Sequence, residues 1–106
     1  MHVYHLEHMT KGWFVGDFTP ACLHSPHCEV GIKHYSAGDE EAIHHHKIAT
    51  ELTAIVAGRV RMFGQVFNAG QIIQIEPGES TAFQAITDAV TVVVKLPSVA
   101  GDKYAG

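Results

Sequence analysis

The chain has 106 residues, 46% of them hydrophobic and 17% charged, the size and balance of one globular domain spanning 1–106. A domain of that size buries roughly two-thirds of its unfolded surface, enough for a core and one small pocket. A formal charge of −4 without any Lys/Arg cluster argues against a nucleic-acid binder, and no apolar run reaches membrane-spanning length.

In chain order, the opening Met1-His2-Val3-Tyr4-His5-Leu6-Glu7-His8 has no basic segment leading into an apolar stretch. It does not read as a secretory signal, so the expected compartment is the cytoplasm. His2, His5 and His8 share no face of a strand and are expected on a mobile or edge segment. Trp13-Phe14-Val15 is a short strand ended by Gly16-Asp17. Cys22 and Cys28 are expected as free thiols in a reducing compartment, with a loop disulfide open under oxidation. A second metal site built from Cys22, His24, His27 and Cys28 would be cramped, and Pro26 stiffens the span.

Glu29 to Tyr35 alternates polar and apolar residues and reads as a strand. If Glu29 faces a cavity, so do Gly31, Lys33 and Tyr35. Further strands are expected over Ala42 to Lys47, Glu51 to Ala57, Gln71 to Ile75, Ser80 to Ala85 and Ala89 to Leu96. Arg59 to Met62 and Gln65 to Phe67 form a hairpin around Phe63-Gly64, with Arg59 and Arg61 exposed. By parity Lys95 shares a face with Val93 and Thr91. Two placements are open for Lys33 and Lys95. Inside a barrel each would need an anionic partner such as a carboxylate or phosphate. Pointing to solvent or pairing with Glu29 is slightly favoured. The polar tail Gly101-Asp102-Lys103-Tyr104 reads as loose. No helix, repeat or low-complexity segment stands out, and many short strands at even spacing imply a sandwich or barrel.

The residues that carry chemistry lie in Gly38-Asp39-Glu40-Glu41-Ala42-Ile43-His44-His45-His46-Lys47-Ile48-Ala49-Thr50-Glu51. His44 and His46 are two apart and share one face of a strand, while His45 points away. A tight reversal over Lys47 to Thr50 returns Glu51 toward the same cavity. Two imidazoles and one carboxylate make a three-ligand site with open positions, the usual form of a catalytic rather than a structural metal site. Three histidines in a row also occur in solvated loops and tags, but a tag sits at a terminus and runs longer.

The spacing Gly38, five residues, His44, one residue, His46, four residues, Glu51, six residues, Gly58 resembles the first motif of the cupin superfamily at every step. Gly70, Pro77 and Gly78 supply the frame of the second motif, and Phe83 fits its aromatic position. The histidine position of that motif falls on Thr81, so the fourth metal ligand implied by the resemblance is missing. The resemblance implies an all-β, antiparallel jelly-roll barrel holding a divalent transition metal (iron, manganese, nickel or zinc) on His44, His46 and Glu51. Thr81 is then a contact for metal-bound water, and Glu29, Lys33, Tyr35, Phe83 and Lys95 are pocket residues. The expected ligand is a small acidic or sugar-type metabolite, handled by an oxygenase or an isomerase/epimerase. The alternative is a non-catalytic binding module with weak or absent metal. A homodimer is expected, because a barrel with apolar residues on both strand faces must cover one of them.

Overall fold

The computed structural model describes residues 1–106. Two single-turn 3-10 helices, Leu6–His8 and Thr10–Gly12, precede eleven strands. These are β1 (Trp13–Gly16), β2 (Leu23–His24), β3 (Glu29–Tyr35), β4 (Glu40–His45), β5 (Thr50–Ala57), β6 (Arg59–Met62), β7 (Gln65–Asn68), β8 (Ile72–Ile75), β9 (Thr81–Ala85), β10 (Ala89–Leu96) and β11 (Tyr104–Ala105). They form a six-stranded sheet ordered β2-β1-β3-β10-β5-β8 and a five-stranded sheet ordered β11-β4-β9-β6-β7. All pairings are antiparallel except β1 with β2. The chain crosses repeatedly between the sheets, which makes an all-β jelly roll. No helix is long and apolar enough to cross a membrane.

Strand parity explains the core. Ile55 on β5, Val60 and Met62 on β6, Ile75 on β8 and Phe83 and Ala85 on β9 all point inward, and with Ala89 they form one buried cluster. Phe63 and Gly64 both have positive φ, as the two-residue turn of the expected hairpin requires. Gly58 has φ +83°, and a Cβ there would lie 2.1 Å from the Asp88 carbonyl oxygen, so the chain reverses between β5 and β6 only with glycine.

In the exposed histidine-rich opening, Leu6–His8 is a 3-10 turn that brings the His5 and His8 rings to 5.4 Å, as residues three apart on such a turn do. Two expectations are corrected. The tail is not loose: β11 pairs with β4 (Tyr104 opposite His45, Ala105 opposite His44), and Asp102 is only 6% exposed. Lys33 and Lys95 are half-buried, line the cavity between the sheets and do not pair with Glu29.

Candidate functional site

Between the sheets lies a cavity of about 470 Å³. Met62, Ile75 and Phe83 belong both to the core cluster and to its lining, so the core forms its floor. His44, His46, Glu51, Thr81, Lys33, Tyr35, Phe83 and Lys95 all line it. Glu29 does not. It accepts a hydrogen bond from Ser98 Oγ at 3.2 Å and lines a smaller cavity behind Lys95, of about 220 Å³.

Both motif histidines are fixed from behind. His44 Nδ1 is 3.0 Å from the Ala42 carbonyl, and His46 Nδ1 meets the Asp102 carbonyl. A carbonyl only accepts, so both rings carry their proton on Nδ1 and are left with Nε2 as the free nitrogen. The rings lie edge to face, centroids 5.4 Å apart. His46 is 5% exposed, and its Nε2 has no hydrogen-bond partner. Glu51 Oε1 is 3.4 Å away, while Oε2 accepts a hydrogen bond from Thr53 Oγ1 at 2.9 Å. A lone pair facing a carboxylate is repulsive unless a cation lies between them, either a proton on Nε2 or a metal ion. Contact with Glu51 raises the His46 pKa against the opposing effect of burial. Glu51 is pushed up by burial, but the nearby His46 ring, the hydrogen bond from Thr53 and the charge of Lys95 outweigh this and hold it below the usual carboxylate range.

No three His, Cys, Asp or Glu side chains close on one point as they stand. The orphaned Nε2 and the donor set of two imidazoles and a carboxylate nonetheless fit a divalent metal in residue type. Thr81 is buried, and its hydroxyl donates to the Ala82 carbonyl and accepts from the Phe63 amide, both at 2.7 Å. Its proton is spent, which leaves it an acceptor only. His45 points away as expected, stacked on Tyr104 with Nδ1 on the Gly106 carbonyl. Cys22 and Cys28 are free, and His24 sits 2.7 Å from Asp17.

Several site residues escaped the sequence reading. Asp102 accepts from the amides of Lys47 and Ala49, each at 2.9 Å, and of Ile48, so it clamps the turn between His46 and Glu51. Glu41, on the same strand as His44, also escaped the sequence reading; the expected pocket residue Tyr35 donates to its Oε1 at 3.0 Å. Burial and the Glu41 carboxylate push the Tyr35 hydroxyl far above its ordinary pKa, so it stays protonated. Thr91, 1% exposed, lines the cavity with a second unpartnered oxygen. Lys11, Trp13 and Lys103 complete the rim. Glu41 enters the cavity because the β4–β9 register shifts between Glu41 and His44, which breaks the simple alternation.

No family model and no curated protein matches the sequence. Solved structures do match. An RmlC-like cupin from Shewanella frigidimarina superposes with TM-score 0.64 at 18% identity, over 71% of this chain and 70% of that one. The fold is the cupin fold. A double-stranded β-helix protein from Klebsiella pneumoniae shares it (TM-score 0.70, 23% identity, 76% of this chain and 72% of that one). So does the DMSP lyase DddQ from Ruegeria pomeroyi (TM-score 0.71, 15% identity, 96% of this chain and 55% of that one). In this cupin fold the His-x-His segment lies at the β4 end, beside the cavity.

Proposed function

We propose that His44, His46 and Glu51 hold a divalent transition metal at the inner end of the cavity, and that a small acidic or sugar-type metabolite fills the remainder. The observation that carries this reading is His46 Nε2, buried without a hydrogen-bond partner beside the Glu51 carboxylate. A metal held this way supplies Lewis-acid or redox chemistry at open positions, and the same donors accept iron, manganese, nickel or zinc. The chain does the rest. Thr53 turns Glu51, the Ala42 and Asp102 carbonyls set both rings, and the Tyr35–Glu41 pair keeps a proton in the same cavity. DddQ, of the same fold, is a DMSP lyase, which supports a small-molecule role.

Elemental analysis of untagged protein tests the reading. Wild type should carry about one equivalent of a divalent metal, and the His44→Ala/His46→Ala variant should carry none. If wild type fails to retain metal even after reconstitution, the reading is wrong. The second reading, a binding module without metal, then stands. It is favoured by Thr81, which occupies the fourth-ligand position with a hydroxyl already engaged by backbone.

A further inference from the structure

Four of the five lysines in the chain, Lys11, Lys33, Lys95 and Lys103, line the main cavity. They arrive from four separate segments: the Thr10–Gly12 turn, β3, β10 and the stretch before β11. The chain as a whole is acidic, at −4, so the gathering opposes the overall balance. None of these ammoniums has a carboxylate within ion-pairing distance, since the three ion pairs of the chain all belong to histidines. The carboxylates of the same cavity are otherwise engaged. Glu41 accepts from Tyr35, Glu51 accepts from Thr53 and faces His46, and Glu79 accepts from the Glu76 amide.

The geometry at the mouth is built around Trp13. Its indole lies over Gly31, where a Cβ would come within 2.7 Å of the ring. Lys33 Nζ is 4.9 Å and Lys95 Nζ 5.0 Å from the indole centroid, so one ring holds two ammoniums by cation–π attraction. Lys33 Nζ is also anchored by the Lys11 carbonyl at 2.8 Å, which leaves donors of both ammoniums free. Lys95 stands opposite Glu51 in the β10–β5 ladder, so it links the mouth to the proposed metal end. Burial, together with the charges of Lys11, Lys95 and Lys103, lowers the Lys33 pKa against the opposing effect of Glu41. An anion would relieve that crowding.

We propose that Lys33 and Lys95, seated on Trp13, form an anion subsite that takes a carboxylate of a small organic acid, whose other end extends toward His44, His46 and Glu51. The position of that other end rests on the metal reading above; the subsite itself uses none of its ligands. A carboxylate fits better than a phosphate, because no arginine and no helix N-terminus reaches the cavity.

Trp13 is the only tryptophan, so its emission reports on the subsite directly. Metal-free protein is titrated with succinate, with its uncharged counterpart succinamide and with methyl phosphate, read by calorimetry and by Trp13 fluorescence. Succinate should bind saturably and lose affinity as salt is added. The other two should bind at least tenfold more weakly. Lys33→Met and Lys95→Met should each weaken succinate roughly tenfold, the effect of one charge-assisted hydrogen bond. Lys47→Met, outside the cavity, should change nothing, and melting curves check that each variant folds. Wild-type discrimination between succinate and succinamide decides the matter even if a variant does not fold. Equal binding of those two, tighter methyl phosphate, or lysine variants that bind like wild type would each overturn the subsite. The metal analysis is separate. Succinate selectivity without any retained metal leaves the subsite and removes the metal reading, and retained metal without selectivity does the reverse.

Discussion

Asp102 ties the end of the chain to the middle of the donor set. Its carboxylate takes three amides of the 47–49 turn, and its carbonyl fixes the His46 ring. Asp102→Ala leaves those amides unpaired, which should cost about 3 kcal/mol in urea unfolding. On the proposed metal reading it should also weaken metal binding roughly 10- to 100-fold, as loss of a ligand's supporting partner does. Burial alone would raise the Asp102 pKa, but the amides of Ala49, Lys47 and Ile48 hold it below its ordinary 3.8. A depressed carboxylate contributes stability above the ordinary value and loses it as pH falls through the folded one. The melting temperature of wild type should therefore fall more steeply below about pH 4 than that of Asp102→Asn. At this scale the meeting of His44, His46 and Glu51 at one cavity was legible because one turn of chain holds them together. Asp102 was not, because its partners are 53 to 56 residues away and nothing local marks it. Glu41 was hidden by the register shift in β4, which a strict alternation assigns to the wrong face.

The long strands follow from their own patterns: β3, β5 and β10 carry alternating or β-branched runs, and the Phe63-Gly64 hairpin follows from its glycine. The short elements do not. β2 and β11 are two residues each and the 3-10 turns three, too short for a period, and they form only because longer strands offer an edge or a ledge. Parity within the hairpin sheets is open to measurement. Ile55→Ala, at a position 2% exposed, should cost roughly 3 kcal/mol, whereas Val66→Ala, on the outside of β7 at 37%, should cost less than about 1 kcal/mol. Similar losses at both positions in urea unfolding would mean the inward and outward faces are misassigned.

Across the whole molecule, the six-stranded sheet turns one face to the cavity and the other outward. On the outward face the ladders align Ile32, Val92, Ala54 and Ile72 in one row and Val30, Val94, Leu52 and Gln74 in the next. None of these is charged, and Ile72 is 68% exposed. An apolar face of this kind on a small barrel calls for a cover, and a second copy offers a matching one. A homodimer joined through this face is the expected form in solution. Light scattering should give twice the chain mass, and Val92→Lys should halve it; a monomeric wild type would rule the arrangement out. The link between Asp102 and His46 also sets an order in time. During synthesis the histidines and Glu51 emerge in one short stretch, but the carbonyl that fixes the His46 ring follows 56 residues later. Contacts that distant close late. The nascent chain thus carries His46 through a further 56 residues before its ring is fixed, and on the proposed metal reading, metal capture would mark completed folding.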